Sequence, residues 1–303
     1  QAESELAAIN MVFGAAAAGV RAMTSSSSPG ISLKQEGISY MAGAQLPGVI
    51  VNIMRGGPGL GNIAPAQSDY FQATRGGGHG DYRCIVLAPA TVQEAYDIME
   101  LAFDLSDTYR TPGIILGDGI LGQMMEPVVA ASRGSKVVKS KEIAKPWALT
   151  GCAGRKPNVV RSFRMHEGEL EKLNIELQKN YAKIVTKEQR AETLFLADAT
   201  VIIVAYGTMA RIAMGLVKQL RRQGVKAGLI RPITLWPFPK KIIEHCCKRR
   251  RVSFVVTEMS HGQMVEDVRL CVNGRHEVVF VGRAGGGIPE EAALMRKIKG
   301  AVR

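Results

Sequence analysis

Short apolar runs alternate with longer helical patterns along most of this chain of 303 residues. The runs at residues 49–54, 84–87 and 113–116 are rich in β-branched residues and bounded by turn residues, which is typical of buried strands. A stretch with helical periodicity separates each run from the next. This order predicts an α/β fold in three layers, with a mostly parallel sheet between helices.

The same alternation begins again in the second half of the chain. Four further strands are predicted there: residues 200–205, 227–231, 253–257 and 278–281. Because they alternate regularly with helices, they indicate a complete and separate sheet domain. Residues 167–196 have the pattern of one long or broken helix. We therefore predict domains at 1–130 and 197–303, joined by a linker and a long helix at 131–196.

Composition narrows the classes of function. The formal net charge of +12 fits an anionic substrate or an acidic partner, and no stretch interleaves basic residues with stacking aromatic residues as nucleic-acid binding requires. The five cysteines are scattered and form no Cys-x-x-Cys pair, which argues against zinc or iron–sulfur ligation by this chain and for a cytoplasmic location. No apolar run is long enough to span a bilayer.

The chain opens directly on a helical pattern. Ser4 can cap a helix that ends near Gly19, and Glu5 falls in its first turn, where a carboxylate is favourable whatever its function. With no initiating Met and no strand before this helix, we expect that the chain begins inside a domain.

A glycine-rich loop at residues 55–61 follows the predicted strand at 49–54. Arg55 stands at the carboxyl end of that strand, where open α/β sheets bind ligands. Its guanidinium can hold a carboxylate or a phosphate through two parallel hydrogen bonds. The alternative is an arginine that pairs with a structural acid.

Two further loops carry polar side chains that suit a site. Residues 24–30 form a hydroxyl-rich turn before a helix predicted at about 31–44, and its amides and hydroxyls could hold an anion or a polar ring. His79 lies among glycines, where backbone freedom can place an imidazole in a cleft. A serine-rich loop and a solvent-exposed histidine are the plainer alternatives.

The triplet Gly117-Asp118-Gly119 opens the magnesium motif of thiamine diphosphate enzymes. That motif needs an asparagine downstream, and the next one here, Asn158, lies too far along the chain. We therefore predict no metal site at this triplet.

Short motifs in order along the whole chain carry a family resemblance. They are Glu5 followed by Gly14, Arg55-Gly56-Gly57-Pro58-Gly59, Gln67-Ser68-Asp69, Gly78-His79-Gly80, Gly117-Asp118-Gly119, Val204-Ala205-Tyr206-Gly207-Thr208, Arg231-Pro232-Ile233-Thr234-Leu235-Trp236-Pro237-Phe238-Pro239 and Gly262-Gln263-Met264-Val265-Glu266-Asp267-Val268-Arg269. Together they resemble the α subunit of 2-oxoacid:ferredoxin oxidoreductases. Residues 25–33 most resemble the branched-chain (3-methyl-2-oxobutanoate) type, whereas the 2-oxoglutarate type usually has Thr-Ser-Gly-Pro-Gly in this region.

The resemblance implies a pyrimidine-type thiamine-diphosphate-binding domain, here without its N-terminal segment, followed by a transketolase C-terminal-like domain. Thiamine diphosphate would lie between subunits, with its Mg²⁺ and diphosphate held by a β subunit. Iron–sulfur clusters would belong to partner subunits, and coenzyme A would be the co-substrate. The implied partners are β, γ and ferredoxin-like subunits and ferredoxin itself, in a hetero-oligomer with two α subunits.

The resemblance also implies roles for single residues. Glu5 would bind the aminopyrimidine ring and so activate the cofactor. Arg55 would bind the substrate carboxylate, and His79 would face the same interface. The reactive end of the cofactor would be lined by hydroxyls from four residues: Ser25, Ser26, Ser27 and Ser28.

The predicted function is the oxidative decarboxylation of a 2-oxoacid to an acyl-coenzyme A, with electrons passed to ferredoxin. One alternative within the family is activity on 2-oxoglutarate. Another is the β-type subunit of a two-component dehydrogenase that passes its acyl group to a lipoyl arm. A non-catalytic alternative is a coenzyme A or nucleotide-binding module built on the glycines of residues 56–61, although no G-x-G-x-x-G followed by an acidic ribose ligand supports it.

Overall fold

The computed structural model describes residues 1–130 and 143–301. Its strands are β1 (Met23–Ser26), β2 (Gly48–Met54), β3 (Ile85–Leu87), β4 (Pro112–Asp118), β5 (Ala191–Leu194), β6 (Val201–Val204), β7 (Ala227–Pro232), β8 (Thr234–Trp236), β9 (Ser253–Glu258) and β10 (Val278–Gly282). Its helices are α1 (Glu5–Ala17), α2 (Pro29–Gly43), α3 (Tyr70–Thr74), α4 (Val92–Tyr109), α5 (Gly119–Gln123), α6 (Glu169–Lys187), α7 (Gly207–Arg222), α8 (Lys240–Cys246), α9 (Met264–Val272) and α10 (Glu291–Ala301). Part of the predicted linker, residues 131–142, lies outside the described residues.

The first sheet has the order β1-β2-β4-β3-β8, in which the first four strands are parallel and β8 is antiparallel. Its central strands β2 and β4 are almost wholly buried because helices cover both faces of the sheet. Helices α1 and α2 pack against each other, with Ile9, Val12, Ile38 and Met41 in the core. The predicted α/β class with a mostly parallel sheet is confirmed.

The second sheet has the order β10-β9-β6-β7-β5, and its first four strands are also parallel. The four residues of β6 are all buried, as expected for a strand inside a doubly covered sheet. One face packs against α7, whose Ala213, Leu216 and Val217 are buried.

The strand β5 corrects one expectation from the sequence. Residues 167–196 were predicted as one long or broken helix, but α6 ends at Lys187 and residues 191–194 pair antiparallel with β7. The reason is long-range: β7 has an edge with unpaired amides and carbonyls, and this short segment satisfies them.

Two local boundaries also differ from the prediction. Residues 24–26 are not a turn but belong to β1, which pairs with β2 from Met23 to Ser26. The sequence pattern also predicts a helix from about residue 64 to 74, but α3 begins only at Tyr70, because the segment before it bonds to the second half of the chain.

The strand β8 crosses from the second half of the chain to the first sheet. Trp236 and Thr234 pair with Val86 and Leu87 of β3, so the second half is not a fully separate sheet domain. The edge of β3 is thereby covered, which protects its backbone groups from water. The division at 1–130, 131–196 and 197–303 stays a prediction.

The carboxylate of Asp118 joins the two halves. It is buried at the end of β4 and accepts hydrogen bonds from the amides of Ile120 and Leu121, which begin α5. It also accepts from the amide of Thr208 at 3.1 Å and from the Thr208 hydroxyl at 2.7 Å, at the start of α7. All four bonds place this side chain in a structural role.

Gln67 makes a second set of buried hydrogen bonds between the two halves. Its amide nitrogen donates to the Tyr206 carbonyl at 2.9 Å, and its amide oxygen accepts from the Met259 backbone at 3.0 Å. The Gln67 backbone N–H donates to the Met259 carbonyl, and the Tyr206 hydroxyl donates to the Gln67 carbonyl. The motif Gln67-Ser68-Asp69 is therefore fixed on the second half of the chain.

We expect Thr208→Val to weaken the contact between the two halves at Asp118, because it removes a hydroxyl donor from that buried carboxylate while the side-chain shape is kept. The free energy of unfolding should fall by about 1.5–3 kcal/mol, seen as a lower thermal midpoint. Thr186→Val is the matched control, because the hydroxyl of this exposed threonine donates to the Ala182 carbonyl of its own helix. Equal midpoints for the two variants would contradict the role of Asp118.

Candidate active site

The carboxylate of Glu5 lies where the first two helices meet β1. Ser4 caps α1 by accepting the Ala7 amide at 3.1 Å, as predicted, and this fixes where the helix begins. Glu5 is half-buried, and Ser26 at the end of β1 donates a hydrogen bond of 3.4 Å to its Oε1. One long contact leaves most of the acceptor capacity of this carboxylate free for a ligand.

Lys34 stands beside Glu5 and was missed by the sequence analysis. It is 1% exposed, and its Nζ donates to the Ser25 carbonyl at 2.9 Å. Burial lowers the pKa of Lys34, while the negative charge of Glu5 acts in the opposite direction. Its spacing in the sequence could have identified it. Lys34 follows Ile31 by three residues and precedes Ile38 by four, which places a lysine on the buried face of α2.

Ser28 ties the start of α2 to the end of β2. Its hydroxyl donates to Asp69 Oδ2 at 2.6 Å and accepts from the Arg55 amide at 3.0 Å. Its own amide donates to Asn52 Oδ1 at 3.1 Å, and Asn52 Nδ2 donates to the same Asp69 oxygen at 2.9 Å. Sequence reasoning did not assign Asn52 or Asp69 to the site, although both lie within or beside its motifs.

The guanidinium of Arg55 carries a charge without an acidic partner. Its Nη2 donates to the Leu60 carbonyl at 3.2 Å, inside the glycine-rich loop. Its Nε is buried and has no hydrogen-bond partner, and no carboxylate forms an ion pair with Arg55 among residues 1–130 and 143–301. Because buried donors are normally bonded, the orphan Nε leaves Arg55 with a donor that a ligand could satisfy.

The four predicted serines have different surroundings. Ser26 faces Glu5, and Ser28 belongs to the network with Asp69. Ser25 and Ser27 contribute backbone carbonyls, to Lys34 and to the Gly30 amide respectively. Only the Ser26 hydroxyl thus contacts Glu5 in the described part of the chain.

His79 lies in the loop after α3 and packs against the second half of α2. Its ring meets Tyr40 edge-on at 6.1 Å, its carbonyl accepts from Ser39, and it borders a cavity of about 380 Å³. Ser39 follows Gly30 by nine residues, which is roughly 13 Å along the helix. The structure brings Glu5 together with Ser26, and Ser28 with Arg55, but it does not bring His79 to either group. Substrate binding by His79 stays a prediction.

Metal ligation and membrane insertion have no visible support in the described ranges. No group of three or more His, Cys, Asp or Glu side chains there could hold a metal ion. No helix in those ranges is long and apolar enough to cross a bilayer.

Two protein families match the chain in succession. The family described as "Pyruvate flavodoxin/ferredoxin oxidoreductase, thiamine diP-bdg" matches residues 1–190. The family described as "Pyruvate:ferredoxin oxidoreductase core domain II" matches residues 199–292.

One relative and two solved structures extend this comparison. The "Ketoisovalerate oxidoreductase subunit VorB" of Methanothermobacter marburgensis is 50% identical over 99% of this chain and 83% of its own length. The 2-oxoglutarate:ferredoxin oxidoreductase of Magnetococcus marinus, solved with 2-oxoglutarate, coenzyme A and succinyl-CoA, aligns over 100% of this chain and 57% of its own, with a TM-score of 0.80 and 24% identity. A split gene transketolase, an inactive beta4 tetramer, aligns over 99% and 81%, with a TM-score of 0.60 and 14% identity.

The fold and the matched families define a thiamine-diphosphate-binding subunit of an oxidoreductase, with a transketolase-like architecture. This chain belongs to the 2-oxoacid:ferredoxin oxidoreductase family, which the sequence motifs predicted.

We expect Arg55→Lys to lower kcat/KM for the 2-oxoacid by roughly ten- to a thousand-fold, because lysine keeps the charge but loses the planar fork. The thermal midpoint should stay close to that of the wild type. Arg249→Lys is the matched control, since Arg249 donates to the backbone carbonyls of Leu196 and Ala199. It should lower the thermal midpoint and keep kcat/KM; the same pattern in Arg55→Lys would identify Arg55 as structural.

Proposed function

We propose that this chain activates thiamine diphosphate and binds the substrate carboxylate in an enzyme that oxidatively decarboxylates a branched-chain 2-oxoacid. The product is an acyl-coenzyme A, and the electrons pass to ferredoxin. The observation that carries the proposal lies at the carboxyl ends of two neighbouring parallel strands: β1 ends at Ser26, which bonds to the under-bonded Glu5 carboxylate, and β2 is followed by Arg55, whose buried Nε has no partner in the described part of the chain. Ligands bind at this edge of open α/β sheets.

The residues present fit the cofactor. Glu5 has free acceptor capacity for a ring N–H, and Ser26 orients the carboxylate through its hydroxyl. When bound, thiamine diphosphate supplies the nucleophilic carbon and the electron sink that decarboxylation of a 2-oxoacid needs. Glu5 would hold a proton at the ring nitrogen of the aminopyrimidine and so favour the imino tautomer, in which the neighbouring exocyclic nitrogen can act as the base.

Arg55 orients the substrate. Two parallel hydrogen bonds from a guanidinium would fix the carboxylate plane and hold the neighbouring carbonyl in one position. The orphan Nε and the terminal nitrogens are the groups available for this contact.

The charge pattern favours 3-methyl-2-oxobutanoate over 2-oxoglutarate. Arg55 can bind one carboxylate, whereas Lys34, which lies beside Glu5, is buried against the Ser25 carbonyl. A second carboxylate on the substrate would therefore lack a ready partner here. The identity to the VorB subunit and the serine-rich sequence at residues 25–28 support the same substrate.

We further propose that partner subunits complete the site. The Asp118 carboxylate is already bonded to four donors, so this chain offers no diphosphate–Mg²⁺ site at Gly117-Asp118-Gly119. A β subunit would hold Mg²⁺ and the diphosphate. The γ and ferredoxin-like subunits would carry the iron–sulfur clusters, coenzyme A would accept the acyl group, and two copies of this chain would take part in the assembly.

The test is the complex that co-purifies with this chain, assayed with coenzyme A and ferredoxin but without lipoamide. We expect ferredoxin reduction with kcat/KM at least about tenfold higher for 3-methyl-2-oxobutanoate than for 2-oxoglutarate. A preference for 2-oxoglutarate would overturn the substrate assignment. A strict need for lipoamide would favour the two-component dehydrogenase, and tight ADP or NAD binding without turnover would favour the nucleotide-binding module.

We expect Glu5→Gln to leave assembly intact but to abolish most turnover, because an amide cannot stabilise a protonated ring nitrogen. The direct measurement is the exchange of the thiazolium proton with solvent deuterium, followed by NMR on the assembled complex. Glu3→Gln is the matched control, since Glu3 is an exposed acid two residues away. If Glu5→Gln exchanged this proton as fast as the control, the role given to Glu5 would be wrong.

A further inference from the structure

Gly30 occupies the first turn of α2, where its backbone does not require glycine. Its φ lies outside the left-handed range, and inside a helix glycine is less favourable than alanine. The reason for glycine at this position must therefore be sought in the space around it.

A side chain at position 30 would collide with the site. A Cβ built there would lie 2.0 Å from Ser26 Oγ, 2.6 Å from Glu5 Oε1 and 3.0 Å from Glu5 Cγ. All three atoms belong to side chains that form the Glu5 contact. The hydrogen atom of Gly30 thus makes room for the Glu5 carboxylate at the end of β1.

The backbone around Gly30 is held from several directions. The Gly30 amide donates to the Ser27 carbonyl, and Ser28 is bonded to Asn52 and Asp69. Lys34, one turn further along α2, holds the Ser25 carbonyl. Because the turn is anchored, a new Cβ would be accommodated by the side chains of Ser26 and Glu5 rather than by the main chain.

We propose that Gly30 is a positioning residue for Glu5, and that its missing side chain creates the space in which the carboxylate is held. This inference rests on the proposed function, in which Glu5 bonds to the cofactor ring. The overlap involves the ends of two flexible side chains, so an alanine at position 30 would displace the carboxylate without disrupting the core. A glycine that served only helix packing would show the opposite pattern.

The experiment is Gly30→Ala in the assembled complex, with three measurements: the thermal midpoint, the affinity for thiamine diphosphate, and deuterium exchange of the thiazolium proton. We expect assembly and the midpoint to match the wild type. Cofactor affinity should fall by a few fold, because the displaced carboxylate no longer meets the ring. Exchange and kcat should fall by on the order of a hundredfold, the scale expected for a catalytic group that is misplaced by about 1 Å.

Gly215→Ala is the matched control, because Gly215 is also a helical glycine but has no atom within 4 Å of an added Cβ. It should leave cofactor affinity and proton exchange unchanged, and its thermal midpoint should be no lower than that of the wild type, because alanine is favourable in a helix. The double variant Ser26→Ala/Gly30→Ala removes the Ser26 overlap but keeps the Glu5 overlap, so its exchange should stay at least tenfold below that of Ser26→Ala. Full recovery in the double variant would show that Glu5 is not displaced and would overturn the proposal.

Two other outcomes would also overturn it. Wild-type exchange in Gly30→Ala while Glu5→Gln is inactive would show that Gly30 does not position Glu5, yet would leave the proposed function intact. Failure of Gly30→Ala to assemble would show that the glycine serves packing. Fast exchange in Glu5→Gln itself would contradict the proposed function. Because that variant keeps Gly30, this result can be distinguished from a failure of the inference about position 30.

Discussion

The arrangement of the two halves depends on the hydrogen bonds of one buried carboxylate, that of Asp118. It ends β4 in the first sheet and bonds to both the amide and the hydroxyl of Thr208 at the start of α7. A buried charge is costly unless donors surround it, and separation of the halves would remove the two donors that Thr208 supplies to this carboxylate. Together with the bonds of Gln67 to Tyr206 and Met259, this makes the relative position of the two sheets part of the folded state.

The hydrogen bonds between the two halves also hold the residues of the candidate site in place. Two residues after Gln67, Asp69 accepts hydrogen bonds from Ser28 and Asn52, and the Ser28 hydroxyl in turn accepts the Arg55 amide. The loop that follows Arg55 therefore starts in the site, and its far end, at Gln67, is bonded to the second half of the chain. In the proposed function, motif residues that do not reach a ligand would still matter to catalysis, because they hold the backbone that carries the Arg55 guanidinium.

Local physical rules accounted for much of this structure from the sequence. The cap at Ser4, the buried strand that ends before Arg55 and the parallel order of β2 and β4 follow from spacing and side-chain type alone. The pairing of β8 with β3 could not be predicted, because strand patterns do not specify which sheet edge a strand will cover. Lys34 and Gly30 could not be predicted for the same reason: Lys34 bonds to Ser25 and Gly30 faces Ser26, both in a strand that was not predicted, and Gly30 also faces Glu5, which is distant along the chain.

The two cations of the site have different tasks because their surroundings differ. The Lys34 ammonium is buried and donates to the Ser25 carbonyl, so it links α2 to β1 and is not exposed to a ligand. The Arg55 guanidinium has a buried donor left over, so an arriving carboxylate would satisfy it. In the proposed function, decarboxylation would remove that charge from the substrate, and with it the contact with Arg55. The interaction proposed to hold the 2-oxoacid in place would therefore not retain what remains after carbon dioxide has left.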